Sequence, residues 1–191
     1  TLLDCSITVS RGKLNSIAAE VEGTYSAGDW GIAAGITYTN KNIFRGAEVL
    51  TIGGRASYEW RANGGRAIEA KAEAGLTFPS QVKLNIAYNY QQRPEEYTRT
   101  IANAGLSYTL PHKAGRKWTH SFNLIDVNYI YLPWMSDRFK SDFMDRASVL
   151  KASYEDHFIV DWSYTGSYSS YNPRLPNKSY LQFAVKIETA G

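Results

Sequence analysis

The sequence predicts an all-β protein, a transmembrane antiparallel up-and-down β-barrel. Fourteen Tyr, five Trp, seven Phe and fifteen Gly favour strands and tight turns over helices. Apolar and polar residues alternate with a period of two along most of the chain. Large aromatic residues gather toward the ends of the alternating segments, as they do at the two interfaces of outer-membrane barrels.

The first two strands are predicted at Ser16–Tyr25 and Asp29–Thr39, and the short connection at Ala27-Gly28 makes them a hairpin. The third and fourth are predicted at Leu50–Arg61 and Ile68–Phe78, and Pro79 ends the fourth because proline cannot donate to a β-ladder. A helix over the Ala-rich residues 67–74 is the competing prediction. We reject it because the apolar residues there recur at two rather than at three and four.

The fifth to seventh strands are predicted at Val82–Gln91, Ala102–Leu110 and Trp118–Leu132. In the seventh the alternation changes phase near Leu124, which predicts a β-bulge. A short helix is predicted within Asp137–Ala147, with Ser136 or Asp137 as its N-cap. The eighth and ninth strands are predicted at His157–Tyr168 and Leu181–Glu188, so eight or nine strands are expected in all.

Charge and motif content argue against several functions. With 21 Lys+Arg against 18 Asp+Glu and no long run of one sign, the sequence predicts no nucleic-acid partner. Cys5 stands alone and the three histidines are far apart, so we expect no metal and no cofactor. Same-face carboxylates such as Glu20 with Glu22, or Glu69 with Glu73, follow from the period of two rather than from catalysis. We therefore expect no enzyme.

The two predicted faces suit a barrel wall. Charges of both signs lie mid-strand on the polar face, as in a hydrated lumen. The opposite face carries Ala, Gly or Ile mid-strand. Its larger aromatics are predicted to lie at the membrane interfaces, and they are Trp30, Tyr38, Tyr58, Trp60, Phe78, Tyr88, Tyr90, Tyr108 and Trp162.

Seven short segments resemble a known family in their order and spacing. They are Leu3-Asp4-Cys5, Glu22-Gly23-Thr24, Gly31-Ile32-Ala33, Asn42 to Glu48, Tyr88 to Pro94, Tyr97-Thr98-Arg99, and Glu188 to Gly191. The chain is similar along essentially its whole length to BamA/TamA-type outer-membrane assembly proteins of Bacteroidetes-like bacteria.

This resemblance implies a 16-stranded barrel preceded by periplasmic POTRA domains, which inserts client β-barrel proteins through a lateral seam between its first and last strands. Residues 1–14 would be a lead-in following a periplasmic domain, and residues 15–191 the N-terminal portion of the barrel. Asn42–Glu48 would be a periplasmic turn and Arg93–Thr98 an extracellular loop. The edge that pairs with client strands would comprise Ser16, Ile17, Ala18, Ala19, Glu20, Val21, Glu22, Gly23, Thr24 and Tyr25.

The partners implied are outer-membrane lipid, client β-barrel proteins and accessory assembly proteins, and the location is the bacterial outer membrane. Two other hypotheses fit the alternation. One is a small passive outer-membrane barrel, a pore or an adhesin, closed by eight of these strands. The other is a soluble β-sandwich whose strand-end aromatics line a binding site.

Overall fold

A computed structural model describes residues 12–26, 28–62, 64–110, 117–141, 155–171 and 179–191. Within these ranges, nine antiparallel strands follow one another in chain order and form one sheet, which confirms the predicted all-β, up-and-down architecture. The strands are β1 (Asn15–Ser26), β2 (Asp29–Asn40), β3 (Val49–Trp60), β4 (Arg66–Thr77), β5 (Val82–Arg93), β6 (Tyr97–Thr109), β7 (Trp118–Met135), β8 (His157–Ser169) and β9 (Gln182–Ala190).

Strand pairing sorts the alternating residues into two faces. Glu20 lies opposite Gly35, Gly35 opposite Arg55, and Arg55 opposite Lys71, so these side chains belong to one polar face. The row of Ile17, Tyr38, Ile52, Ala74 and Ile86 lies on the other, apolar face. Because the side-chain period of a strand is two, this register keeps each predicted face intact from strand to strand.

The sheet has two ends. We call the end where β1, β3, β5 and β7 finish the upper end, and the end where they begin the lower end. The segment Asn42–Glu48 lies at the lower end and the turn after Arg93 at the upper end, so the two segments lie at opposite ends of the sheet.

The predicted extracellular loop Arg93–Thr98 is wrong in its extent. Arg93 is the last residue of β5 and pairs with Tyr97, the first residue of β6. Only residues 94–96 connect the two strands, and the Glu96 N–H donates to the Arg93 carbonyl at 2.9 Å. These bounds came from the family resemblance, whereas the strand register of this chain pairs Arg93 with Tyr97 and Gln92 with Thr98.

The β-bulge predicted near Leu124 is confirmed. Against β6, Ile125 pairs with Leu106 and Asn123 with Ser107, so Leu124 has no opposite residue. Against β8, the same stretch places two residues of β7 opposite Trp162 alone. One inserted residue therefore restores the correct faces above and below the phase change.

The predicted helix begins where expected. Helix α1 (Asp137–Phe139) follows Ser136, whose hydroxyl accepts a hydrogen bond from the Phe139 N–H at 3.2 Å, so Ser136 is the N-cap. Residues 142–147 of the predicted helix lie outside the described residues. None of the described helical residues forms a segment long and apolar enough to span a membrane.

The described strands form an open, single-layered sheet. No strand pairs with the outer edge of β1 or of β9 among the described residues, so the predicted closure into a barrel is not present there. The buried apolar side chains of the described part of the chain are Ala33, Ala67, Tyr97 and Phe139. The apolar face therefore has no protein layer packed on it within the described residues.

Candidate functional site

The predicted client-pairing residues Ser16–Tyr25 all lie in β1, at one edge of the sheet. They pair with β2 in an unbroken register in which Ile17 faces Tyr38, Val21 faces Ala34 and Tyr25 faces Trp30. Ile17 is 70% exposed and Val21 76% exposed. Among the described residues, β1 is thus paired on one side only, and its side chains on the apolar face are exposed.

The hydrogen-bonding direction of each β1 residue follows from one contact. The Lys41 N–H donates to the Leu14 carbonyl at 2.9 Å, across the β1–β2 pair. Along an antiparallel strand, successive residues direct their backbone groups alternately to one neighbour and the other. The even-numbered residues of β1 therefore bond to β2, and the odd-numbered ones direct N–H and C=O outward. Within Ser16–Tyr25 the outward residues are Ile17, Ala19, Val21, Gly23 and Tyr25.

Arg55 connects β3 to β1 across the polar face. Its Nη1 donates to Glu20 Oε1 at 3.0 Å, and its Nη2 donates to Glu22 Oε1. The intervening strand β2 presents Gly35 between Arg55 and Glu20. A Cβ at position 35 would lie 2.8 Å from Glu20 Oε1, so the absence of a side chain leaves room for this contact.

A polar network covers the same face over β5 to β8. Asn85 donates to Asn103 at 3.0 Å, and Asn103 donates both to Asp126 and, at 2.9 Å, to Asn128. Gly105 lies between Asn85 and Asp126, and a Cβ there would come within 2.8 Å of the Asn85 side chain. The absence of a side chain at Gly105 thus leaves room for the Asn85 and Asp126 side chains, which both bond Asn103.

Turns at the upper end are joined by a cluster of charges. The Glu96 carboxylate accepts from Arg61 at 2.5 Å and from Arg93 at 3.3 Å, and Arg61 also lies 3.9 Å from Asp29. Burial by itself raises the pKa of the Glu96 carboxyl, but the hydrogen bonds and charges of Arg61 and Arg93 outweigh burial and hold its pKa below the ordinary value.

Several of the predicted interface aromatics gather at the strand ends. At the upper end of the apolar face, Tyr25 contacts Trp30 with ring centroids 4.6 Å apart, and Tyr58 contacts Trp60 at 4.7 Å. The strand register aligns Trp30 with both Tyr25 and Trp60. These four rings form an aromatic cluster at one corner of the sheet.

The remaining predicted aromatics divide into two groups. Tyr38, Phe78 and Tyr108 lie toward the lower end. Tyr88 and Trp162 instead lie near the middle of β5 and β8, and Tyr90 lies three residues from the end of β5. The expectation that Tyr88 lies near a strand end is wrong because β5 extends to Arg93.

A second aromatic cluster was not among the predicted residues. Trp118 contacts Tyr168 at 5.3 Å and Phe183 at 5.4 Å between ring centroids, at the lower ends of β7, β8 and β9. The sequence signal for this cluster was that each of its three aromatic residues lies near the start or the end of a predicted strand. The sequence likewise placed Arg55 on the polar face without identifying its partners.

Comparisons of the chain with protein-family models, with curated protein sequences and with solved structures find no match. Within the described ranges, no three His, Cys, Asp or Glu side chains come together in a group that could hold a metal ion.

Proposed function

We propose that the chain is the N-terminal portion of a BamA/TamA-type outer-membrane β-barrel that inserts client β-barrel proteins by pairing their strands with β1. The observation that supports this proposal most directly is the edge of β1, which has no partner strand among the described residues. Five residues of Ser16–Tyr25 direct backbone donors and acceptors outward there, and no described residue covers the apolar face of the sheet. The sequence resemblance supplies the family. The edge geometry supports the pairing mechanism.

Membrane location is supported by the apolar face and by strand length. Large apolar side chains such as Ile36 and Phe158 are 58% and 64% exposed, and an apolar environment is needed to cover such a surface. β1 to β5 have 12 residues each. At about 3.3 Å per residue such a strand is about 40 Å long, and at a tilt of about 45° it spans about 28 Å, close to the hydrocarbon thickness of a bilayer.

The strand count supports a larger barrel rather than closure of these strands on themselves. With nine strands in up-and-down order among the described residues, β1 and β9 run in the same direction. Direct pairing of these two edges would be parallel, which is slightly less stable per residue than antiparallel pairing. Antiparallel closure needs an odd number of further strands, and seven would complete the 16 that the resemblance implies.

Client pairing at β1 is a case of β-augmentation, in which an incoming strand adds to a free sheet edge through main-chain hydrogen bonds. The outward amides of β1 would provide those bonds. Because the outward residues have their side chains on the apolar face, a paired client strand would continue the apolar face toward lipid and the polar face toward the lumen.

The test is proline substitution at one outward position in the intact protein. Val21→Pro removes an N–H that faces away from β2, and proline is tolerated on an edge strand where its missing donor is unpaired. We expect an unchanged amount of this protein in the outer membrane and a severalfold drop in newly inserted client barrels. Val21→Ala, which keeps the N–H, is the matched control. Normal client insertion by the Val21→Pro variant would refute the proposed function.

A further inference from the structure

The register of β1 receives little support from side chains on the polar face of β2. The β2 residues opposite Thr24, Glu22 and Glu20 are Gly31, Ala33 and Gly35. These small residues offer little packing that would distinguish one register from another. A slip of two residues also keeps every β1 side chain on its own face, so the alternation alone does not oppose it.

Arg55 distinguishes the registers. Its two guanidinium nitrogens bond the carboxylates of Glu20 and Glu22, which are two residues apart on the same face. A slip of β1 by two residues in one direction would present Glu22 and Thr24 to Arg55, and in the other direction Ala18 and Glu20. Either slip loses one of the two ion pairs, and the forked guanidinium suits two acceptors in a way that a point charge does not.

Gly35 makes this three-strand contact possible. It lies between Glu20 and Arg55 in the register, and a Cβ there would approach the Glu20 Cγ at 3.1 Å as well as its carboxylate oxygen. A branched residue at position 35 would therefore push the Glu20 side chain away from Arg55. The small residues that weaken the β1–β2 contact are the same ones that let Arg55 reach over β2.

We propose that Arg55 is a positioning residue that holds β1 in one register, so that the outward amides of Ile17 to Tyr25 meet an incoming client strand at a fixed offset. The role in client pairing rests on the proposed function. The role in holding the register is a property of the sheet and is tested separately.

Register is measured by disulfide trapping in the intact protein with Cys5→Ser as background. The pair Val21→Cys with Ala34→Cys reports the observed register, since these residues face each other. The pairs Gly23→Cys with Ala34→Cys and Ala19→Cys with Ala34→Cys report the slips by two residues in the two directions. We expect Arg55→Gln to increase the slipped cross-link about fivefold, in keeping with the loss of an exposed ion-pair network. Client insertion is followed in the same strains with an eight-stranded outer-membrane barrel of the same bacterium.

Two further variants distinguish the effect of the Arg55 ion pairs on the register from a general effect of charge. Lys71→Gln removes a positive charge from the same face, where Lys71 pairs with Glu73 of its own strand, and it should leave the register unchanged. The triple exchange Arg55→Glu with Glu20→Arg and Glu22→Arg reverses both ion pairs across β2 and should restore both the register and client insertion.

If the yield of the slipped cross-link is unchanged in Arg55→Gln, or if it rises equally in Lys71→Gln, then Arg55 does not hold the register of β1. Increased slippage with normal client insertion would overturn the part of the proposal that concerns client pairing. Failure of the proposed function is recognised independently, because Val21→Pro would then insert clients normally whatever Arg55→Gln does to the register.

Discussion

Tyr97 and Phe139 pack against each other with ring centroids 5.6 Å apart, and both are among the buried apolar residues of the described chain. Tyr97 begins β6 and Phe139 ends α1. The contact is reinforced by Ser136, whose N–H donates to the Glu96 carbonyl at 2.9 Å and whose hydroxyl donates to the Glu95 carbonyl at 2.8 Å. The start of the helix is thus held against the upper end of the sheet.

We expect Phe139→Ala to release α1 locally. Truncation of a buried Phe costs about 3 kcal/mol, and the loss falls on the helix because the strands keep their ladder bonds. Hydrogen exchange at residues 136–140 should accelerate about a hundredfold while β6 is unaffected. Lys140→Ala, on an exposed side chain, serves as the control. Unchanged exchange in the Phe139 variant would show that the ring contact does not hold the helix.

Glu96 should make stability depend on pH in the acid range. Its carboxyl has a pKa below the ordinary 4.5, so its contribution is present above that value and is lost as pH falls through the lower folded-state pKa. Glu96→Gln should cost roughly 1–2 kcal/mol near neutral pH and flatten this acid dependence, measured by denaturant unfolding between pH 3 and pH 7. The neighbouring exposed Glu95→Gln should behave as the unmodified protein, and an identical pH profile for both variants would contradict this prediction.

Gly105 should not tolerate a side chain. A Cβ at this position would lie within 3.0 Å of polar atoms of both Asn85 and Asp126 and would disturb their network with Asn103. We expect Gly105→Val to lower the free energy of unfolding by roughly 1–3 kcal/mol. At Gly75, on the same face, the nearest atom would be 3.8 Å away. A comparable loss in Gly75→Val would mean that steric crowding at Gly105 is not the cause.

Deletion of Leu124 should be tolerated. Without it, Asn123 precedes Ile125 directly, and Ile125 then pairs with Leu106 on one side and Trp162 on the other in a regular ladder. We expect stability within about 1 kcal/mol of the unmodified protein. Deletion of Val127 instead places two polar-face residues in succession and should prevent folding. Circular dichroism and unfolding of both deletion variants provide the comparison, and equal damage would refute the bulge assignment.

If the apolar face contacts lipid, a charged substitution on that face should impair membrane insertion more than the same substitution on the polar face. Ala72 lies mid-strand on the apolar face, opposite Gly54 and Tyr88, whereas Ala87 lies mid-strand on the polar face opposite Asn103. A charged residue at the lipid-facing midplane of a barrel costs about 2–4 kcal/mol. Ala72→Arg should therefore reduce the membrane-inserted fraction, and Ala87→Arg should not. An equal effect of the two substitutions would argue against lipid on the apolar face.

The sequence predicted the strands well because a period of two is a local property. It also located the bulge at Leu124, since a single extra residue changes the phase of the alternation. The contact of Arg55 with Glu20 could not be predicted, because it depends on the register of strands 35 positions apart along the chain. Glu96 and Arg61 were missed for the same reason, being brought together by pairing across β3 to β6.

The outward amides of β1 have a consequence for how selective this edge is. They belong to the main chain, and every residue except proline provides one. An edge of this kind recognises the geometry of an extended strand and its spacing, with little regard to the identity of the residues that the strand carries. A protein that pairs strands in this way would serve many sequences with one surface, and its own edge residues could drift during evolution as long as they remained apolar and never became proline.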